Sequence, residues 1–300
     1  MADSICRICG KEGPLSFEHI PPQSVGNDHT VKLYSGVDAV KSSLIGQDDM
    51  EGMKYRQLQR GQGFKTICSS CNSYLGQNYV KPFSEFYRAT GQQVLVSDFQ
   101  EEDKSIHFKT DRLMPLAFVK QVMSNFCVSA GDMHDCKDYL LDRESTVFPQ
   151  RYRLHMFIID NLREQKLFTG WMVPIFADYT CCKMACIRIP PFAFALFDLS
   201  SSNKVPEWPG NITDLARVPW GEKPGIEFHL PVLKAANHSP LSWGERWLKP
   251  MGNSRNRPAG LRLRAWYALP RFAGTVAWYH PLAANWNTKV GSRQQMDGCC

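Results

Sequence analysis

The sequence predicts an α+β protein made of a small N-terminal unit and a larger α+β body with a mostly antiparallel sheet. Three observations indicate this. Cys-x-x-Cys pairs at 6–9 and 68–71 bracket the first unit, helical periodicity prevails from 111 to 144, and runs rich in β-branched and aromatic residues begin at 152. A chain of 300 residues is long enough for one or two domains. We therefore predict one domain over 1–95 and a second over 96–300.

Proline and glycine shape the start of the first unit. Pro14, the Pro21-Pro22 pair and Gly26 exclude a helix between 14 and 35. This stretch is therefore predicted to be a strand, a turn and a second strand.

The segment after the second cysteine pair is predicted to be helical. NSYLGQNYVKPFSEFYRAT, 72–90, carries apolar residues at helical spacing, and Pro82 interrupts the pattern. The sequence thus predicts two short helices or one kinked helix. QVLVSDF, from 93, follows as a predicted strand or connector.

The second unit combines helices with a sheet. DRLMPLAFVKQVMSNFCVSA, 111–130, has helical periodicity, and a shorter helix is expected around DCKDYLLDRE. The runs RLHMFIID, KLFTGWMVPIF, MACIRI, FAFALFDL and GIEFHL are then predicted strands, because Pro and Gly clusters separate them. SSSNKVPEWPGN, 200–211, is predicted to be a surface loop.

Composition narrows the class of protein. The chain is 43% hydrophobic and 21% charged, as is typical of globular proteins. No apolar run approaches the ~18 residues of a membrane span, and MADSICRICG lacks the features of a secretory signal. We therefore expect a cytoplasmic protein without a membrane partner. Thiols stay reduced in that compartment, so Cys-x-x-Cys pairs there are typically metal ligands.

The net positive charge of the chain, +6, is concentrated in the C-terminal tail, 246–300. Nine Lys or Arg and no Asp or Glu lie between 246 and 293, with aromatic residues interleaved. Cations for phosphates and rings for bases are typical of a nucleic-acid surface. A basic tail of no special function is the alternative that the composition leaves open.

Four cysteines form a predicted metal site. Cys6, Cys9, Cys68 and Cys71 supply the closed thiolate set of a structural zinc site, although 58 residues separate the two pairs, so this insertion must loop out and return. The run CCKMAC, 181–186, is predicted instead to be a buried strand, since it lacks a paired partner. A closed zinc site leaves no open coordination position. Chemistry would therefore need a second, harder metal with oxygen and imidazole ligands.

The residues for such chemistry stand beside the cysteines. Glu18 and His19 follow the first pair, and Asn72 follows the second directly. If zinc ties the N-terminal strands to the helix that begins near Cys71, Asn72 is carried close to Glu18 and His19.

The motifs CRICG, EHIPP and CSSCN together resemble the HNH (His-Me finger, ββα-metal) endonucleases of the zinc-stapled four-cysteine type. The resemblance covers about the first 80 residues. It implies a ββα-metal nuclease module in which an acid-His dipeptide lies on a β-hairpin and a Cys-x-x-Cys-(His/Asn) motif opens the helix. The implied activity is metal-dependent hydrolysis of phosphodiester bonds in DNA.

The resemblance also implies roles for individual residues. His19 would be the general base that activates a water, since a neutral imidazole is basic near physiological pH. Glu18 and Asn72 would ligate a catalytic Mg²⁺ or Mn²⁺, which would stabilise the leaving 3′ oxygen. The four cysteines would hold the structural Zn²⁺.

The sequence departs from the family pattern in two places. Gly76 stands one turn after Asn72, where many members carry a second helical metal ligand. Asn27 is the only asparagine between His19 and Cys71, and it lies closer to the histidine than the middle asparagine of the family usually does. These departures favour the alternative function, a non-catalytic zinc-stapled module that binds nucleic acid or a protein.

A basic stretch precedes the second cysteine pair. KYRQLQRGQGFKT, 54–66, contains Lys54, Arg56, Arg60 and Lys65, which are candidate phosphate contacts or part of a solvated loop. For the body, 96–300, we expect a directing role: positioning DNA, binding a regulatory protein partner or driving self-association.

Overall fold

The computed structural model describes residues 5–35, 52–96, 99–100, 105–131, 133–159, 167–172, 182–201, 210–233 and 277–281. The strands are β1 Leu15–His19, β2 Val31–Ser35, β3 Tyr55–Leu58, β4 Gly63–Cys68, β5 Phe99–Gln100, β6 Ser105–Thr110, β7 Tyr152–Ile159, β8 Leu167–Phe168, β9 Lys183–Ile189, β10 Phe192–Asp198, β11 Ile226–Leu233 and β12 Ala277–Pro281. The α-helices are α1 Ser69–Leu75, α2 Lys81–Val96, α3 Pro115–Ala130 and α4 Lys137–Leu141.

A small two-stranded sheet lies at the N-terminal end. β1 pairs with β4 in antiparallel fashion, with Leu15 opposite Cys68 and His19 opposite Gly63. α1 begins at the residue after β4. The local arrangement is therefore two antiparallel strands followed by a helix.

The two strands predicted between 14 and 35 are present, but they do not pair with each other. A 3-10 turn at Gln23–Val25 ends at Gly26, which has a φ of 78°. Glycine adopts this left-handed conformation without a Cβ clash. After the turn, β2 joins β3 and β12 in the large sheet, while β1 pairs with β4, at the far end of the insertion between the two cysteine pairs.

The region after Cys71 is helical and interrupted, in line with the prediction of two short helices or one kinked helix. A π-helical turn at Gly76–Val80 separates α1 from α2. Pro82, which lacks a backbone N–H, stands at the second position of α2, directly after this π-helical turn. The prediction of a strand or connector from 93 was wrong over its first four residues, since Gln93–Val96 form the last turn of α2. Burial of Val94 there outweighs its β-propensity.

Ten of the described strands form one large sheet in the order β3-β2-β12-β8-β9-β10-β7-β11-β6-β5. β11 pairs with β7 in parallel and the other pairs are antiparallel, so the predicted mostly antiparallel sheet is confirmed. The strand predicted at the CCKMAC run is also present, because β9 buries Cys186 and follows the buried Cys182. Cys181 lies outside the described residues.

The core lies around α3, from Leu116 to Val128 buried at every position. One hydrophobic cluster joins side chains from both sides of the predicted boundary at residue 95, for example Ile67 and Phe83 with Phe118. Arg7 also crosses that boundary and donates a hydrogen bond from Nη1 to the carbonyl of Val128 at 2.7 Å. The division into two domains stays a prediction.

None of the described helices is long and apolar enough to cross a membrane. Most of the basic tail and the 202–209 part of the predicted surface loop lie outside the described residues. Within the tail, β12 is described and pairs with β2 and β8.

Candidate functional site

The four cysteines of the two pairs meet at the base of the small sheet. Their Sγ atoms all lie within 4.8 Å of one another. The Cys9 and Cys68 sulfurs are 3.8 Å apart, and tetrahedral zinc with bonds of about 2.3 Å separates its sulfur ligands by about 3.8 Å. Among the described residues, no other group of three or more His, Cys, Asp or Glu side chains is close enough to hold a metal ion.

Local backbone geometry presents each thiol pair. Cys6 and Cys9 flank a tight turn, which the Gly10 N–H closes by donating to the Cys6 carbonyl at 2.9 Å. Gly10 has a φ of 72°, the left-handed conformation that favours glycine. The other pair lies at the start of α1, with Cys68 as the N-cap and Cys71 in the first turn.

The protonation of the thiols depends on their position in the cluster. Burial would raise the pKa of Cys68, but hydrogen bonds from the Ser70 hydroxyl and the Cys71 backbone outweigh it and lower the pKa to about 6. Burial raises the pKa of Cys71, and hydrogen bonding to Cys68 raises it further. One thiolate therefore forms readily, whereas a fully ionised cluster needs a cation to offset the repulsion between thiolates.

His19 ends β1 and is partly exposed. Its Nε2 lies 3.0 Å from the carbonyl oxygen of Arg60 and 3.2 Å from the side-chain amide nitrogen of Gln23. A carbonyl can only accept a hydrogen bond, so a bond to Arg60 places the proton on Nε2 and leaves on Nδ1 the lone pair that a base requires, whereas a bond from the Gln23 amide needs the opposite tautomer.

Glu18 precedes His19 on the strand and lies partly buried, directly opposite Phe64 of β4. Burial raises the pKa of its carboxyl group to about 7, although the hydrogen bond from Asn72 acts in the opposite direction. The strands approach closely here, since a Cβ at Gly63 would collide with the Glu18 carbonyl oxygen. A cation next to this carboxyl group would favour its ionised form.

Asn72 reaches from α1 to β1. Its Nδ2 donates to the Ser16 hydroxyl at 3.1 Å and to the Phe17 carbonyl at 3.0 Å. Both bonds use Nδ2, so Oδ1 is the atom that can ligate a metal. The structure thus brings the side chains of Glu18 and Asn72 into contact, with Asn72 directly after Cys71, while His19 occupies the next position of β1 and contacts Phe17, Arg60 and Gln23.

Asn27 has a larger part in this region than its sequence position suggests. Its buried side chain donates from Nδ2 to the carbonyls of Pro21 at 2.6 Å and Gln62 at 2.7 Å, and its Oδ1 accepts from the Gln62 N–H at 2.8 Å. These bonds fasten the chain after His19 to the chain before β4. The one available signal was that Asn27 is the only asparagine between His19 and Cys71.

The four predicted phosphate contacts are all exposed. Lys65 lies in β4 directly opposite Phe17 of β1, and Arg60 contacts His19 through its carbonyl. Arg56 lies on the edge strand β3, and Lys54 precedes that strand. Lys65 and the backbone of Arg60 therefore lie near His19, and the role of all four cations in binding stays a prediction.

Compared with known proteins, the chain matches no family model and is similar to no curated protein and no solved structure. A function must therefore be argued from the geometry of the site.

Proposed function

We propose that the chain is a metal-dependent endonuclease of the HNH kind that hydrolyses phosphodiester bonds in DNA. The observation that carries the proposal is the hydrogen bond between the side chains of Glu18 on β1 and Asn72 on α1, with the candidate base His19 at the next position of the strand. A base, a carboxylate and an amide oxygen are the groups that metal-assisted hydrolysis requires.

The four thiols would hold a structural Zn²⁺. The 3.8 Å separation of the Cys9 and Cys68 sulfurs fits the tetrahedral geometry of zinc. Four thiolates leave no open coordination position, so this ion would connect the N-terminal turn to the start of α1 without taking part in the reaction.

A second ion, Mg²⁺ or Mn²⁺, would be held by the Glu18 carboxylate and Asn72 Oδ1. These are hard oxygen donors, and Mg²⁺ accepts a site with few protein ligands because it keeps several waters. When bound, the ion neutralises charge on the phosphate and stabilises the leaving 3′ oxygen.

His19 is the general base of the proposed reaction. Its Nδ1 takes a proton from the attacking water, while its Nε2–H bond to the Arg60 carbonyl holds the ring and stabilises the imidazolium that forms. Lys65 and Arg60 contact the phosphates of the DNA next to His19, and Lys54 and Arg56 contact phosphates farther along the DNA strand. The body, 96–300, directs the nuclease by positioning DNA, binding a regulatory protein or self-associating.

Plasmid cleavage tests the proposal. The full chain should nick or cut plasmid with Mg²⁺ or Mn²⁺, and His19→Ala should abolish cutting without a change in zinc content. His29→Ala is the matched control, because this histidine lies on the same insertion and its imidazole faces Asp28. If His19→Ala cuts as well as the parent, the assignment of the base is wrong.

The second candidate is a non-catalytic zinc-stapled module that binds nucleic acid or a protein. Gly76 favours it, because α1 supplies no ligand one turn beyond Asn72. The raised pKa of Glu18 favours it too, since a protonated carboxyl group is a poor ligand. Binding of DNA without cleavage under any divalent metal would support this candidate.

A further inference from the structure

Phe17 is a large hydrophobic side chain that the fold leaves at the surface. It is 40% exposed and belongs to neither of the two buried hydrophobic clusters among the described residues. A phenylalanine at a partly exposed strand position adds little to the core, so its contacts indicate what else it can do.

The ring lies against the candidate base. Its centroid is 4.9 Å from that of the His19 imidazole, and the two rings meet edge to face at 79°. Lys65 stands directly opposite Phe17 in the β1–β4 pair, so the cation and the ring share a face of the small sheet. The Cε1 edge of the ring packs over Gly63, where a Cβ would approach it to 2.7 Å.

This combination matches single-stranded nucleic-acid recognition. An exposed ring provides a stacking surface for a base, and an adjacent lysine provides a charge for the neighbouring phosphate. Because the ring contacts His19, the nucleobase that it can reach belongs to a nucleotide next to the bond that the water activated by His19 would cleave.

A paired base does not fit this position. The faces of bases in a duplex are covered by their neighbours, and unstacking a step costs a few kcal/mol. A side chain that wedges into a duplex must project from the protein, whereas the Phe17 ring rests against Gly63 and His19 with more than half of the residue covered.

We propose that this site takes DNA with an unpaired base beside the scissile phosphate, and that Phe17 stacks on that base. The inference rests on the proposed nuclease function and names its substrate class as single-stranded or locally unpaired DNA. Lys65 would hold the adjoining phosphate.

Binding without added divalent metal tests the stacking separately from the chemistry. Fluorescence anisotropy would compare a labelled 20-nucleotide single strand with the duplex of the same sequence, at one fixed salt concentration. Phe17→Leu should weaken single-strand binding about tenfold or more and leave duplex binding unchanged, and Phe17→Trp should restore it. Val147→Ala, at another exposed apolar side chain, should change neither. Equal weakening of both substrates by Phe17→Leu would overturn the inference.

Cleavage with Mn²⁺ provides the second arm, using a perfect duplex and a duplex with one unpaired nucleotide. The inference is supported if the parent cuts beside the unpaired nucleotide and Phe17→Leu does not. If the perfect duplex is cut as readily and Phe17→Leu has no effect, the inference fails while the nuclease function stands. Phe17-dependent binding with no cleavage overturns the nuclease function and, with it, the placement of Phe17 beside a scissile bond.

Discussion

The side chain of Asn27 and the backbone of Gln62 exchange two hydrogen bonds, with Asn27 Nδ2 2.7 Å from the Gln62 carbonyl and the Gln62 nitrogen 2.8 Å from Asn27 Oδ1. Asn27 thereby acts as an extra strand residue for the chain that leads into β4. Ile20 adds a backbone bond to the same Gln62 carbonyl at 3.1 Å. The position of His19 relative to β4 therefore depends on a side chain eight residues further along.

Asn27→Ala should destabilise the protein and lower its nuclease activity. The change removes three buried hydrogen bonds and leaves the Pro21 carbonyl and both backbone groups of Gln62 without this partner. We expect a loss of about 2–4 kcal/mol in the free energy of unfolding, measured in urea. Asn78→Ala is the matched control, because its amide donates one bond to the Tyr74 carbonyl within a helix. A loss no larger than that of the control would show that the Asn27 bonds contribute little.

Gly76→His should supply the helical metal ligand that the sequence lacks. Gly76 has a helical φ of −60°, and a Cβ there would meet no atom within 4 Å. The new imidazole stands one turn after Asn72 and prefers Mn²⁺ or Co²⁺ to Mg²⁺. We expect half-maximal cleavage at a several-fold lower Mn²⁺ concentration than with Gly76→Ala, the control for helix propensity. Identical Mn²⁺ titrations of the two variants would contradict Asn72 as a metal ligand.

The double variant Cys68→Ser, Cys71→Ser should lose one equivalent of zinc, measured by elemental analysis. Binding to four thiolates contributes on the order of 10 kcal/mol to folding in small zinc modules. Cys6, Cys71 and Ile8 belong to the same hydrophobic cluster as α3, so we expect loss of the metal to lower the midpoint of the whole unfolding transition. Cys127→Ala, at a buried thiol that is not one of the four candidate zinc ligands, should leave the zinc content unchanged. Full zinc content in the double variant would refute the site.

Lys120 should make the stability of the protein increase with pH in the alkaline range. Its side chain is fully buried, with Nζ donating to the carbonyls of Tyr139 at 2.5 Å and Asp142 at 2.6 Å. Burial lowers the pKa of the amine to about 8, and the charge of Asp142 opposes this shift only partly. Because the folded pKa lies below its ordinary value, the unfolded chain binds more protons between about pH 8 and 10.5, and stability rises with pH across that window.

Lys120→Met removes this dependence. Between pH 7.5 and 10, the stability of the parent relative to the variant should rise by about 2–3 kcal/mol, measured by urea unfolding at both pH values. Lys81→Met, at an exposed lysine of α2, should show no such change. A constant difference between parent and Lys120→Met would mean that the lysine titrates alike in the folded and unfolded chain.

Local patterns predicted many of the elements. The period of apolar residues indicated α3, and β-branched runs indicated β7, β9, β10 and β11, because each pattern reflects one buried face of one segment. The same reasoning failed at Gln93–Val96, where a valine-rich run continues α2 because its packing against the core outweighs propensity. A helix or strand was thus predictable where the intrinsic preference of its residues and their burial favour the same conformation.

The candidate site, too, was predictable from the sequence only in part. Two thiol pairs, an acid-His dipeptide and an asparagine after the second pair were legible in the chain, since metal and proton chemistry require those residue types at close spacing. The partner of β1, the clamp from Asn27 to Gln62 and the ring of Phe17 beside His19 were not. They depend on which segments pair across the more than forty residues between β1 and β4. That choice is determined by the packing free energy of the whole core, which cannot be inferred from any one segment of the sequence.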